Sequence, residues 1–161
     1  MKCGPKSSPE DIVKSIKLLN PENELGKLWI IIRFGVDNIK DGLPKFIQEI
    51  VNNELNVVWI WDPVHGNTYT NDCNFKVRDV QAVLSELVWA YKILNQHKQV
   101  FGGIHIESSG DNVTEWVNGI DNLTDSDLSS NYTTQWDPRL NFVQTLHVIY
   151  KLCEAIKEHE E

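Results

Sequence analysis

The sequence predicts an α/β fold with parallel strands, because apolar runs of strand length alternate with helical patterns along the chain. The apolar runs lie at residues 28–32, 57–61 and 104–106, and the segments between them carry apolar residues at helical spacing. Strands that are joined through helices return to the same edge of a sheet and therefore run parallel. The chain has 161 residues, of which 41% are hydrophobic, which is enough for one domain with a buried core.

The amino-acid composition argues against several classes of binding partner. The formal net charge is −8, which disfavours a nucleic-acid surface, since such a surface needs clustered Lys and Arg. No apolar run approaches the roughly 20 residues that a membrane span needs. The three cysteines, Cys3, Cys73 and Cys153, are too few and too scattered for a disulfide framework or a zinc pattern. We therefore expect neither nucleic acid nor a membrane among the partners.

The first helix is predicted to begin after Ser8, a residue that suits an N-cap, with Pro9 at the first helical position. Its apolar stripe ends near Leu19, and the turn sequence that starts at Asn20 ends the helix. Lys2 lies before a Gly-Pro turn that could end a strand whose body is missing.

The central part of the chain predicts two strand–helix pairs. The strand at 28–32 is followed by a helix at 42–52, and the strand at 57–61 by a helix at 78–96. Both strands are continuous apolar runs, and such runs are typical of strands that are buried on both faces in a parallel sheet.

The last part predicts a short strand at 104–106 and a final helix at 141–157. Between them lies a polar, irregular segment at 108–136. Connections of this length in compact domains are usually functional or disordered.

Polar residues follow the predicted strands at the points where the strands end. These residues are Lys2, Arg33, His65 and Glu107, spaced by about one strand–helix unit of some 30 residues. Because the carboxyl ends of parallel strands face the same side, the four side chains could converge on a ligand. Each residue alone also has an ordinary structural interpretation, such as a surface salt bridge or a hydrogen-bonded turn.

A further candidate is Asp137, which lies in an Asp-Pro sequence before the last helix, although that is also ordinary helix-start chemistry. Together, His65, Glu107 and Asp137 offer the imidazole and carboxylate ligands that suit Mn²⁺, Co²⁺, Fe²⁺ or Zn²⁺. Lys2 and Arg33 would suit a phosphorylated or carboxylated substrate. The residues alone thus favour a metal-assisted reaction on a small phosphorylated anion, and an unrelated metal-dependent hydrolase would use the same set.

Several motifs in order resemble the C-terminal half of class II (plant-type) 3-deoxy-D-arabino-heptulosonate 7-phosphate (DAHP) synthase. Their order and separation make the resemblance far more specific than a single short pattern. The motifs are DPVHGNT (62–68), FKVR (75–78), GGIHIESSGDNVTE (102–115), DLSSNY (127–132) and DPRLN (137–141), and KCGP (2–5) and NPENELGKLWIIIRFG (20–35) fit the segments upstream.

The resemblance implies a fold and a reaction. The family has a (β/α)8 TIM barrel, of which residues 1–161 would form units five to eight as one partial barrel domain. It condenses phosphoenolpyruvate with erythrose 4-phosphate and releases phosphate, in the first step of the shikimate pathway towards the aromatic amino acids. Its divalent metal is Mn²⁺ or Co²⁺, with Zn²⁺ and Fe²⁺ as alternatives, and by resemblance the metal ligands here are His65, Glu107 and Asp137.

The resemblance also implies substrate contacts. Lys2 and Arg33 match the positive groups that hold phosphoenolpyruvate, and together with His65 they are the expected catalytic residues. Lys76 and Arg78 match a Lys-Thr-Arg stretch close to the active-site face, and we expect them to bind substrate as well.

Relative to the family, the chain is expected to lack several barrel units and one metal ligand. It starts at the family's fifth strand, so the first four units and a cysteine metal ligand are absent; Cys3 is a poor replacement, because adjacent strand residues point to opposite faces. We therefore expect the chain to be part of a full-length enzyme and inactive alone; otherwise it would pair with the missing half or with a second copy to rebuild a barrel. The alternative is a non-catalytic relic α/β module that binds a phosphorylated metabolite or a partner chain. The family implies either cytoplasm or plastid as its location.

Two tryptophans, Trp116 and Trp136, stand where the family usually has Cys. Such enlargements overpack a core at a cost of about 1–3 kcal/mol. One hypothesis is a Cys codon of the source read as Trp; the other is drift in a non-catalytic copy. Smaller departures are Val64 for Met, Val77 for Thr, Ser109 for Thr and Asn118 for Gly.

Overall fold

Strands and helices alternate along the described chain, residues 1–160 of a computed structural model. Glu161, the last residue of the predicted domain, lies outside the described residues. The elements are β1 (Lys2–Cys3), α1 (Pro9–Leu19), β2 (Trp29–Ile32), α2 (Ile39–Asn52), β3 (Val58–Trp61), β4 (Thr68–Thr70), β5 (Lys76–Asp79), α3 (Val80–Gln96), β6 (Phe101–Ile104), β7 (Trp116–Val117), a 3-10 turn (Leu128–Ser130) and α4 (Phe142–Glu160).

The main sheet has four strands in the order β1-β2-β3-β6, and every neighbouring pair is parallel. This confirms the predicted α/β fold with a parallel sheet. Within residues 1–160 the sheet is open, with β1 and β6 at its edges, so the half-barrel stays a prediction. All polar residues that follow these strands are brought to one end of the sheet, since the strands share one direction.

A second, smaller sheet lies in segments that the sequence analysis assigned to loops and to the start of a helix. Here β4 pairs antiparallel with β5, and β5 pairs parallel with β7, so that Arg78 lies opposite both Thr68 and Trp116. The pairing makes Lys76 and Arg78 strand residues and places them beside the carboxyl end of the main sheet.

The helix starts follow local capping chemistry. The Ser8 hydroxyl accepts a hydrogen bond from the Asp11 backbone N–H at 3.3 Å, and Pro9 opens α1, which confirms the predicted start. The Asp79 carboxylate accepts one from the Gln81 N–H at 2.7 Å, so α3 begins at Val80 rather than at the predicted residue 78. Helix α2 begins at residue 39, three residues before the predicted start.

The last predicted strand is displaced in the structure. β6 occupies 101–104 instead of 104–106, because Gly102 lies so close to β3 that a Cβ there would collide with Trp59 and Val58. Glu107 therefore lies three residues beyond the strand that was expected to end on it. The polar segment at 108–136 contains β7 and the 3-10 turn, and α4 reaches Glu160 rather than residue 157.

The helices cover one face of the main sheet and form the core there. Ile30, Ile32, Trp59 and Trp61 point into this core and are at most 1% exposed. On the same strands, Trp29 belongs to the alternate set of side chains and is 56% exposed. None of the described helices has the length and apolar character to span a membrane.

Two glycines bring the turns after β2 and β3 into backbone contact. Gly35 has a φ of +81°, in the left-handed region that favours glycine. A Cβ on Gly66 would overlap the backbone nitrogen of Gly35, and a Cβ on Gly35 would lie 2.6 Å from the Gly66 carbonyl oxygen. The two turns therefore pack as one unit at the carboxyl end of the sheet.

We expect Gly66→Ala to lower the free energy of unfolding by about 1–3 kcal/mol, because backbone atoms must move to admit the methyl group. Urea unfolding of the 161-residue chain measures the change. Gly110→Ala is the matched control, since a Cβ there meets open space. Equal unfolding midpoints for the two variants would contradict the close contact between the turns.

Candidate metal centre

Three residues that the sequence analysis proposed as metal ligands lie together in the structure. His65 comes from the turn after β3, Glu107 follows β6, and Asp137 precedes α4; one ligand atom from each lies within 4.8 Å of the others. All three are half-buried. His65 and Glu107 come together because parallel strands end on the same side of the sheet, and Asp137 joins them because Leu140 is hydrogen-bonded to Glu107 and Ser109.

The His65 ring is oriented by a buried carboxylate. Its Nδ1 lies 2.8 Å from Oδ2 of Asp62, and the backbone N–H groups of Val64 and His65 donate to Oδ1 at 3.2 Å. The Lys2 ammonium donates to the same carboxylate at 3.0 Å. Burial raises the pKa of Asp62, but the hydrogen bonds from His65 and Lys2 outweigh it and hold the pKa below its ordinary value. The sequence analysis missed Asp62, although it opens the DPVHGNT motif.

This orientation leaves two acceptors facing each other. When Nδ1 carries the ring proton and donates to Asp62, Nε2 presents its lone pair to Oε1 of Glu107 at 3.1 Å. Two acceptors at this distance attract a cation, either a second proton on the ring or a metal ion. A carboxylate that holds the far side of a ligating imidazole is the usual outer partner of a metal-bound histidine.

Glu107 is fixed in turn by Arg78. The Arg78 Nη1 donates to Oε2 of Glu107 at 2.5 Å and to the Pro138 carbonyl at 2.6 Å, while Nε donates to the Thr68 hydroxyl at 2.7 Å. Its side chain has no exposed surface, and Nη2 is buried without a hydrogen-bond partner among the described residues. Arg78 thus lies in the wall of the site and orients Glu107, a candidate ligand; substrate binding by Arg78 stays a prediction.

Asp137 is paired with Lys76, whose ammonium donates to Oδ1 at 2.8 Å. This hydrogen bond holds the pKa of Asp137 below its ordinary value, so the carboxylate is charged at neutral pH. The Lys76 side chain is half exposed, and two of its three N–H donors remain available for an anion.

Lys2 and Arg33 lie on the other side of His65. With His65 and Gly66 they line a cleft of about 340 Å³ at the end of β1 and β2. Arg33 is exposed, so its guanidinium can approach a ligand. The structure therefore places all seven predicted site residues at one end of the sheet, with His65 shared between the acidic cluster and the cationic cleft.

The donor set fits a divalent ion. One imidazole nitrogen and two carboxylate oxygens are ligands that Mn²⁺, Co²⁺, Zn²⁺ and Fe²⁺ accept, and three ligands leave coordination positions open. Cys3 does not join them: it is buried on the opposite face of β1, and burial raises the pKa of its thiol to about 12. This agrees with the expectation that Cys3 is a poor replacement for a cysteine ligand.

A wider pocket of about 670 Å³ adjoins Glu107 and Asp137. Arg139 lies in its wall and donates to the buried Glu115 at 2.7 Å, a pair that the sequence analysis missed although both residues stand in quoted motifs. Trp136 is 83% exposed at this pocket, so the overpacking expected there does not apply. Trp116 is fully buried, and its indole N–H has no hydrogen-bond partner among the described residues.

A third buried acid, Glu86 of α3, was also missed. Its carboxylate accepts from the Phe34 and Gly35 backbone N–H groups, the Trp61 indole and the Asn67 amide. Burial raises its pKa to about 7, against the lowering effect of these hydrogen bonds. The sequence signal that could have identified Glu86 is its position as the single acidic residue within the apolar stripe of α3.

The chain is similar to one protein family along nearly its whole length. The model of the class-II DAHP synthetase family matches residues 1–153. Phospho-2-dehydro-3-deoxyheptonate aldolase AroG of Mycolicibacterium smegmatis is 34% identical over 158 residues, which cover 98% of this chain and 34% of that protein.

Two further relatives carry the name phospho-2-dehydro-3-deoxyheptonate aldolase. That of Streptomyces coelicolor is 37% identical over 158 residues, covering 98% of this chain and 35% of the relative. That of Neurospora crassa is 36% identical over 163 residues, covering 100% of this chain and 34% of the relative. The chain therefore spans about a third of the length of the curated relatives that it matches.

We expect Asp62→Asn to weaken Mn²⁺ binding by about 10–100-fold, since the variant loses the charged partner that orients His65. Isothermal titration calorimetry of the 161-residue chain measures the affinity. Asp72→Asn is the control, because Asp72 is exposed in a turn. Unchanged affinity in Asp62→Asn would show that this carboxylate does not support a metal ligand.

The raised pKa of Glu86 determines the direction in which the free energy of unfolding changes with pH. Because the folded pKa is about 7 and the ordinary value is 4.5, the folded state holds a proton that the unfolded state has lost between these pH values. Stability therefore falls as pH rises through this window, by about 3 kcal/mol in all.

We expect Glu86→Gln to remove that fall, so that wild type loses stability relative to the variant between pH 5 and pH 7. Urea unfolding at several pH values measures it, with Glu22→Gln in an exposed turn as control. Parallel curves for wild type and Glu86→Gln would contradict the raised pKa.

Proposed function

We propose, since this chain belongs to the class-II DAHP synthetase family, that it carries the metal ligands and the cationic substrate contacts of a 3-deoxy-7-phosphoheptulonate synthase. The substrates would be phosphoenolpyruvate and erythrose 4-phosphate, and phosphate would be released. The reaction opens the shikimate pathway towards the aromatic amino acids. The names of the relatives support this assignment.

The observation that carries the proposal is the position of His65 between two groups of opposite charge. On one side, Glu107 and Asp137 complete a set of three metal ligands. On the other side, Lys2 and Arg33 line a cleft that also includes His65. A phosphorylated carboxylic acid bound in that cleft would lie next to the metal, which is the arrangement the reaction needs.

The chain's own residues would bind and orient phosphoenolpyruvate. Arg33 presents a planar fork that suits the carboxylate or the phosphate in two parallel hydrogen bonds. Lys2 keeps two N–H donors beyond the one given to Asp62. Both cations would offset the negative charge of the substrate while the new carbon–carbon bond forms.

A divalent ion, Mn²⁺ or Co²⁺ by family, would act as a Lewis acid on an oxygen of the second substrate. The protein's contribution is the ligand set, which is held by outer partners. Asp62 orients His65, Arg78 orients Glu107, and Lys76 pairs with Asp137. Lys76 also has donors left for the phosphate of erythrose 4-phosphate.

We further propose that residues 1–161 form units five to eight of a (β/α)8 barrel and are inactive alone. The open edges at β1 and β6 and the exposed Trp29 are what a half-barrel would present. Either the remainder of a barrel or a second copy of this chain would cover them. The expected location, cytoplasm or plastid, comes from the family alone.

We expect His65→Ala to abolish Mn²⁺ binding by the 161-residue chain, because it removes the shared ligand of the site. Electron paramagnetic resonance of free Mn²⁺ measures the bound fraction. His97→Ala is the matched control, since His97 is exposed after α3. Equal binding by wild type and His65→Ala would contradict the ligand assignment.

The activity itself is tested in a chimera in which this chain replaces the matched segment of the Streptomyces coelicolor relative. We expect the chimera to release phosphate only with Mn²⁺ and both substrates, and Arg33→Ala to raise its KM for phosphoenolpyruvate. A folded chimera that binds Mn²⁺ without releasing phosphate would contradict the enzyme function. Phosphate release by the 161-residue chain alone would contradict its dependence on a second half.

A further inference from the structure

We propose that Glu86 is a positioning residue that fixes the turn carrying Arg33 relative to the turn carrying His65, and so sets the distance between the phosphoenolpyruvate contact and the metal ligand. The inference rests on the proposed function, because it concerns the same site. Glu86 itself contacts neither group directly; its effect passes through the backbone and through Asn67.

One carboxylate oxygen of Glu86 holds the turn after β2. Its Oε1 accepts from the backbone N–H of Phe34 at 3.3 Å and of Gly35 at 3.0 Å, the two residues that follow Arg33. The same oxygen accepts from the indole N–H of Trp61, the last residue of β3, at 3.1 Å. A single atom thus ties the ends of two neighbouring strands.

The other oxygen holds the turn after β3. The Asn67 side-chain amide donates to Oε2 of Glu86 at 2.5 Å and to the Pro63 carbonyl at 2.6 Å, so Asn67 spans the turn that contains His65. The amide oxygen of Asn67 accepts from the Val36 N–H at 2.9 Å. Asn67 therefore joins the two turns, and Glu86, together with Pro63 and Val36, fixes the direction in which its amide faces.

A contribution to fold stability does not explain why residue 86 is a carboxylate. Glu86 is fully buried, and no salt bridge to it is found among residues 1–160. A buried carboxylate without a cationic partner costs stability that a well-packed apolar side chain avoids. What the carboxylate supplies instead is four fixed acceptor contacts, all of them to the ends of β2 and β3.

The chain offers a substitution that breaks one link and keeps the others. In Glu86→Gln, the amide oxygen can still accept from Phe34, Gly35 and Trp61, but the new NH₂ group faces the NH₂ group of Asn67. Adding Asn67→Asp returns an acceptor to that contact and keeps one for Val36, but it removes the N–H that Asn67 donates to the Pro63 carbonyl. The double variant therefore rebuilds the link between residues 86 and 67 and keeps the link to Val36, while the contact to Pro63 is lost.

The test compares wild type, Glu86→Gln and Glu86→Gln/Asn67→Asp in the folded 161-residue chain at about pH 8, above the pKa of Glu86, so that both of its oxygens are acceptors. Amide and indole NMR signals report the two turns directly, and calorimetry reports Mn²⁺ affinity and phosphoenolpyruvate affinity at saturating Mn²⁺. We expect Glu86→Gln to shift the Val36 and His65 signals, keep the Trp61 indole signal, and weaken phosphoenolpyruvate binding about 10-fold or more. The double variant should recover the Val36 signal, because the links between the two turns are rebuilt, whereas the lost Pro63 contact should leave the His65 signal shifted.

A general loss of stability would leave the native-state signals in place, so it cannot imitate this result; Glu22→Gln controls for the loss of an acid. Unmoved Val36 and His65 signals in Glu86→Gln, or no recovery of the Val36 signal in the double variant, would overturn the positioning role. If wild type binds neither Mn²⁺ nor phosphoenolpyruvate, the proposed function fails and the inferred role in the site fails with it. In that case the NMR signals show separately whether Glu86 holds the two turns.

Discussion

The site depends on one buried carboxylate, that of Asp62, which binds both the first strand and the central histidine. Asp62 accepts hydrogen bonds from Lys2 and from the ring of His65, so the cationic cleft and the metal-ligand cluster share an anchor. Burying a carboxylate is costly unless it is paired and hydrogen-bonded, and Asp62 has both kinds of partner. The charge that this pairing retains fixes the ring orientation and therefore the direction in which Nε2 points.

The other two carboxylates of the cluster are also held by charged partners. Glu107 and Asp137 each face a cation, Arg78 and Lys76, which offsets carboxylate charge that would otherwise repel within the cluster. In a chain with a net charge of −8, the basic side chains at this end of the sheet are what makes it a plausible anion site. Under the proposed function, this arrangement would hold a positive ion and a negative substrate next to each other.

Helix-capping residues, apolar periodicity and the positions at which strands end made much of the fold and of the candidate site predictable from the sequence. The start of α1, the apolar strands and the parallel sheet follow from capping residues and periodicity. The shared direction of the strands predicts that Lys2, Arg33, His65 and Glu107 converge, whereas Lys76 and Arg78 were identified only by the family resemblance. The small sheet that holds Arg78, and the displacement of β6 by Gly102, depend on contacts distant in sequence, which periodicity does not report. Asp62 and Glu86 were missed for a related reason, since only the folded chain shows which donors surround a buried acid.

The central claim is that the ligand cluster and the cationic cleft form one site. Its most direct test is the ³¹P NMR line width of phosphoenolpyruvate with Mn²⁺ bound to this chain, because a paramagnetic ion broadens only nearby nuclei. The account requires broadening beyond that caused by free Mn²⁺, and its loss in Arg33→Ala while Mn²⁺ remains bound. Broadening that is the same in Arg33→Ala and wild type, or no broadening with Mn²⁺ bound, would contradict the account.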